Sequence, residues 1–202
     1  MTPVPGWAIQ AIIHAGQRMD ARGWVPATAG NISVRLADGS LAITRSGTHK
    51  GFLKPDDVMT VDPVGRSVSP DARPSAETGL HCQIYRMVSN VGAVLHGHSI
   101  AGTVLSMALE GVSITFAGYE LLKAFEGQTT HDASLSLPVF DNDQNIPRLM
   151  AQAEPHLAAC KLGYLIRGHG AYVWAPDMDT ALARLEGLEF LLACELERRK
   201  LR

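Results

Sequence analysis

The residues of this chain best suited to chemistry are histidines. The stretch "AVLHGHSIAG", residues 93–102, sets His96 and His98 one residue apart in a run otherwise made for a buried strand. Alternate strand residues project from the same face, about 6–7 Å apart along the backbone, so two imidazoles there can converge on one ion. Catalytic zinc commonly takes three protein ligands and keeps a further position open. His169, between two glycines in "LIRGHGAYVW", is the candidate third ligand, because glycine in a strand-like run marks a bulge or a close backbone approach. Three imidazoles suit zinc, although affinity order alone does not exclude other divalent metals. The competing readings are a pair of satisfied core histidines and a tight bend with an incidental His169. His14, His49, His81, His131 and His156 lack such settings and read as surface or helix-face residues.

Small residues form a second constellation. "ATAGNIS", "TRSGTHKG" and "RPSAE" each place Gly, Ser, Thr or Asn at a turn or helix start. Backbone N–H groups in such turns, with a helix N-terminus behind Ser75, make a pocket for an anion such as phosphate. Hairpins need the same residues merely to turn, so each stretch alone is weak. Phosphate affinity is expected in these turns, since the chain has no lysine or arginine cluster beside them. "GHSIAGT" mimics part of a P-loop but lacks its lysine, which excludes nucleotide binding by that route. Two carboxylates complete the set. Glu77 starts the helix expected after Ser75, where the positive end of the helix favours the ionised form. Glu120 opens a short helix after a strand; on spacing alone, either is a cap or a surface charge.

These residues need elements to position them. Thr2-Pro3 opens a helix that carries Ile9, Ile12, Ile13 and Met19 and ends near Gly23. "NISVRL" and "LAITR" flank the hairpin signal Asp38-Gly39, and "DVMTVD" adds a strand. Ser75 is expected to cap the helix "AETGLHCQIYRMV". The chain then alternates: strand "GAVLHGH", helix from Ser99, strand "VSITFA", short helix "YELLKAF", strand "SLPVF", helix broken near Pro155, and the bent strand pair "GYLIRGHGAYVWA". A last helix, from about Asp177 to Lys200, lines up Leu182, Leu185, Leu188, Leu192 and Leu196. Early hairpins followed by strand–helix alternation predict an α/β domain with a mixed sheet covered by helices.

Composition bounds the rest. The 202 residues are 46% hydrophobic and 19% charged with a formal net charge of −2, as in an ordinary single globular domain. No basic cluster provides a nucleic-acid footprint, and no apolar run approaches a membrane span. The opening residues lack the positive start of a signal peptide, and Cys82, Cys160 and Cys194 form no CxxC pair. Both features lead to the expectation of a cytoplasmic protein with reduced thiols.

"AGNIS", "SGTHKG", "PSAETGLH", "VLHGHS" and "RGHGAYVW", in this order across roughly residues 7–195, resemble the class II aldolase/adducin superfamily. "RPSAETGLHCQIYR", "FAGYELLKAFEG" followed by "TTH", and "LPVFDNDQNI" are closer to its sugar-phosphate dehydratases of methionine salvage than to its aldolases. The resemblance implies a three-layer α/β/α fold with a central mixed, largely antiparallel sheet, in a homotetramer. It implies one zinc on His96, His98 and His169, and phosphate at the Gly30-Asn31, Ser46-Gly47 and Ser75 turns. It also implies Glu120 as general acid/base. Aldolases use the glutamate matching Glu77 near the metal, whereas some dehydratases carry cysteine there, so its role stays open. The implied reaction is loss of water from a ketose 1-phosphate. An aldolase or epimerase acting on another sugar phosphate is the alternative. An adducin-like interaction module is a third reading, which has no need of three metal-binding histidines.

Overall fold

The computed structural model describes residues 4–201, so Thr2 and Pro3, expected to open the first helix, lie outside it. Eight strands form one sheet: β1 Asn31–Arg35, β2 Leu41–Thr44, β3 Val58–Val61, β4 Ala93–Gly97, β5 Ser113–Ala117, β6 Ser134–Phe140, β7 Tyr164–Ile166 and β8 Gly170–Ala175. Their order is β3-β2-β1-β4-β8-β7-β6-β5. Every neighbouring pair is antiparallel except β6 and β7. The expected mixed, largely antiparallel sheet is therefore present. Five α-helices cover it: α1 Gly6–Ala21, α2 Thr78–Met87, α3 Ile100–Ala108, α4 Ile146–Ala153 and α5 Met178–Lys200.

Alternation along the strands divides the core in two. On β8, Ala171, Val173 and Ala175 face one cluster with Ile12 of α1, Leu105 of α3 and Leu185 of α5. Tyr172 and Trp174 face the other, with Leu80 and Ile84 of α2 and Leu149 of α4. A period of two thus serves both helix layers at once. The Asp38 carboxylate accepts the Ser40 N–H in the β1–β2 turn, and Asp177 caps α5 by accepting from Thr180. Helix α4 ends at Ala153, where a 3₁₀ segment containing Pro155 takes over, as expected. Among the described residues, no helix is long and apolar enough to cross a membrane.

One expectation is corrected and one is narrowed. Helix α2 starts at Thr78, three residues after Ser75, and Ser75 Oγ only receives the Glu77 N–H in the preceding turn. The chain there is held extended by a bridge between Arg45 and Pro74 and by Ser46 N–H donating to the Arg73 carbonyl. Of the surface and helix-face readings of His81 the second holds: it lies on a face of α2 that is fully buried under the sheet, 2.7 Å from Ser33 Oγ.

Strand directions fix what meets at each end of the sheet. The last residues of β4 lie beside the first residues of β1 and β8, with Asn31 opposite His96 and Ala171 opposite Gly97. Strand β5 runs against β4, so the chain leaves β5 at the opposite end.

Candidate metal centre and anion pocket

His96 sits near the end of β4 and His98 just past it, where the His98 N–H is held by the Trp24 carbonyl at 2.6 Å. His169 stands in the short turn joining β7 to β8, with its N–H on the Ile166 carbonyl, rather than inside a strand. These elements bring one ligand nitrogen from each imidazole within 4.8 Å of the others. The approach demands glycine at 170: a Cβ there would lie 2.2 Å from the Gly97 oxygen and 3.0 Å from His96 Cε1.

The imidazoles are prepared as ligands. His96 Nδ1 lies 3.0 Å from the Ala171 carbonyl; a carbonyl can only accept, so Nδ1 carries the proton and Nε2 is left with its lone pair free. That Nε2 is buried without a hydrogen-bond partner. The ring is stacked on Tyr172 at 4.1 Å, which sequence reading did not foresee. Burial pushes His96 down to about 4, against the opposing pull of Glu77. Burial, helped by the neighbouring imidazoles, takes His98 to about 3. Neutral imidazole is the form that binds a metal.

Glu77 closes the group. Its Oε1 lies 3.0 Å from His169 Nε2 and its Oε2 3.5 Å from His96 Nε2, while Asn31 Nδ2 donates to Oε2 at 2.6 Å. Burial raises this carboxyl, but the His169 hydrogen bond and the imidazoles outweigh it and hold it at about 2. Glu77 is therefore an ionised carboxylate over the whole neutral range.

Gly30, Asn31, Ser46, Gly47 and Ser75 all line a cavity of about 340 Å³ that also reaches Glu77, His98 and His169. The small-residue constellation and the histidine constellation are thus two walls of one pocket. Gly47 has φ +77°, and nothing lies within 4 Å of where its Cβ would be. Larger clefts beside Trp174 and beside Met59 hold none of these groups; convergence of polar groups, not volume, distinguishes the site. Sequence reading passed over Lys50, which also lines the cavity. Its burial depends on α1 crowding the segment, with the Lys50 carbonyl only 2.1 Å from where a Gly16 Cβ would be, a contact no local pattern announces.

Glu120 is elsewhere. It opens a 3₁₀ segment, its side chain is 71% exposed, and it meets Lys123 and His131. Strand β5, which precedes it, lies four places from β4 in the sheet, about 19 Å away at the usual strand spacing, and delivers it to the opposite end. Within one chain Glu120 does not join the histidines.

Residues 10–196 match the family model described as Class II Aldolase and Adducin N-terminal domain, and the chain belongs to that family. It is 63% identical to a protein of Granulibacter bethesdensis named methylthioribulose-1-phosphate dehydratase, over 98% of this chain and 95% of that one. It is 64% identical to a protein of the same name from Gluconacetobacter diazotrophicus, over 96% and 94% of the two chains. Among solved structures, an L-fuculose 1-phosphate aldolase superposes with a TM-score of 0.82 at 20% identity, covering 98% of this chain and 89% of that one. The L-fuculose-1-phosphate aldolase of Thermus thermophilus does so with a TM-score of 0.75 at 24% identity, over 96% and 94%. These two structures share the fold.

Proposed function

We propose that this chain is a zinc-dependent hydro-lyase of methionine salvage, acting in the cytoplasm. Its reaction is the dehydration of 5-methylthioribulose 1-phosphate to 5-methylthio-2,3-dioxopentyl phosphate. The observation that carries this reading is the constellation itself: three converging imidazoles, two of which, His98 and His169, open with the ionised Glu77 on a cavity walled by polar turns. It occurs in a chain 63% identical to a protein named for that reaction.

The donor set fits the metal. A buried His96 Nε2 without a partner, in a ring oriented by the Ala171 carbonyl, is what a zinc ligand with its supporting hydrogen bond requires. His96, His98 and His169 would hold the ion. When bound, zinc supplies Lewis-acid stabilisation of negative charge on the substrate C2 and C3 oxygens. The turns at Gly30-Asn31, Ser46-Gly47 and Ser75 take the phosphoryl group through backbone N–H and hydroxyl donors, which sets the position of the sugar carbons. Glu77, ionised and adjacent to the imidazoles, accepts the C3 proton. Glu120 gives a proton to the departing C4 hydroxyl, a role worth about 10²–10⁴ in rate, and ketonisation of the resulting enol, with a proton taken up at C4, gives the diketone.

Because Glu120 lies at the far end of its own sheet, this reading requires that a second copy supply it, and the chain works as a homotetramer. Helix α3, which begins beside His98, exposes Ile100, Val104 and Met107 at helical spacing, and Leu121 next to Glu120 is also exposed. Such apolar stripes suit burial between copies. In the lone chain Lys123 holds Glu120 below its ordinary value. Entry into a drier interface would raise it toward that of a usable acid.

The test is incubation with methylthioribulose 1-phosphate, fuculose 1-phosphate and ribulose 5-phosphate, with products identified by mass. Loss of water from the first alone is expected. Cleavage of fuculose 1-phosphate, with the first substrate left intact, would overturn the assignment.

A further inference from the structure

The pocket holds a cation that its turns do not account for. Lys50 is only 1% exposed. Its Nζ donates to the Thr28 carbonyl at 2.7 Å and to the Thr48 carbonyl at 2.6 Å. Thr28 stands just before Gly30-Asn31 and Thr48 just after Ser46-Gly47, so one ammonium joins the two turns. An ammonium has three N–H donors. Carbonyls take two, and among the described residues no third acceptor and no ion-paired carboxylate is found for it. Burying a charge in this way is unfavourable unless an anion compensates it. Burial accordingly lowers Lys50 to about 8, even though Glu77 pulls it up from a distance. Arg45 also borders the cavity, but its guanidinium is tied to the carbonyls of Asp56 and Asp71.

We propose that Lys50 is the cationic donor for the phosphoryl group of the substrate: two of its N–H groups clamp the glycine turns together and the third is given to the anion. This rests on reading the cavity as the phosphoryl subsite, and it replaces the expectation that small-residue turns act there without a lysine. A lysine suits the place because its three donors spread tetrahedrally from a compact charge, whereas a guanidinium is a flat fork.

The experiment uses the full chain with its metal bound. Inorganic phosphate affinity is measured by titration calorimetry, and KM and kcat are measured with the phosphorylated ketose. In Lys50→Met, which keeps the apolar stem, phosphate affinity should weaken and KM rise by about 10- to 100-fold, the range for a lost hydrogen bond to a charged group. Metal content should stay unchanged, kcat should fall much less than KM rises, and Lys50→Arg should recover part of the affinity. A Lys50→Met protein that melts earlier yet binds phosphate with wild-type affinity would reduce Lys50 to a structural clamp and overturn the proposal. So would a wild-type protein with no affinity for phosphate. If Lys50→Met does not fold, the ¹⁵Nζ resonance of Lys50 in the wild type decides: a shift on adding phosphate supports the assignment, and a stationary signal overturns it. Wild-type protein that binds phosphate through Lys50 but removes no water would instead refute the reaction and leave this assignment standing.

Discussion

At the end of the sheet where β4 stops, the Glu77 side chain is 16% exposed and is fixed by Asn31 and His169. At the opposite end the Glu120 side chain is 71% exposed and, among the described residues, pairs with Lys123 and His131, both exposed themselves. A buried carboxylate with built partners has its protonation and aim settled by its own chain. An exposed one takes both from whatever covers it, because water screens its local partners. On the proposed reading, the site on one chain therefore has its metal ligands and anion turns together and lacks its acid.

The comparison breaks most readily at the buried end. His96→Ala, His98→Ala or His169→Ala should each abolish most metal binding and reduce turnover by more than about 10³, since the remaining two imidazoles leave a catalytic zinc site short of a ligand. Metal analysis beside the rate checks this, and full zinc content in the His169 variant would remove it from the ligand set. Glu120→Gln, at the exposed end, should cut dehydration by about 10²–10⁴ with metal content and substrate affinity near normal. Exchange of the C3 proton with solvent should persist in it and slow in Glu77→Gln. Turnover of Glu120→Gln close to wild type would make Glu120 a surface charge and nothing more.

Smaller effects sharpen the contrast. Gly47→Leu places a side chain in the open cavity at φ +77°. It should raise KM for the phosphorylated substrate roughly ten-fold or more, as loss of one or two hydrogen bonds to an anion would; an unchanged KM in a folded variant would move the phosphoryl group elsewhere. The pH dependence of the metal-free protein follows from the buried imidazoles. His96 is held at about 4 and His98 at about 3, whereas in the unfolded chain both take up protons near pH 6.5. The unfolded state then binds more protons as pH falls, so stability decreases from about pH 6.5 toward 4, by up to about 1.4 kcal/mol per pH unit for each buried imidazole. Glu77, at about 2 when folded, adds a further loss below its unfolded value near 4.3. Urea midpoints of chelated protein across this range should fall on the acid side, and a flat profile would contradict neutral burial.

Much of the buried end was legible in the sequence because its signals are local. Two histidines at strand spacing, a histidine between glycines, and Asn, Ser and Gly in turns each announce geometry within a few residues. The hairpin at Asp38-Gly39 and the leucine face of α5 are legible for the same reason. Ser75 misled because an extended stretch before a helix is decided by pairing with Arg45, distant in sequence. His81 stayed between surface and helix face, and Lys50 was passed over, because a polar residue reads as exposed until tertiary packing covers it. For Glu120, motif order groups residues that strand direction separates.

The most direct test of the account joins the two ends. His96→Ala chains and Glu120→Gln chains are each expected to be nearly inactive alone. Dissociated and reassembled together, they should form sites that pair intact histidines from one chain with an intact Glu120 from another, at roughly a quarter of all positions in a randomly mixed assembly. Water loss from methylthioribulose 1-phosphate should return in the mixture to about that share of the wild-type rate. Mixed assemblies that contain both chains and remain inactive would contradict an active site divided between copies.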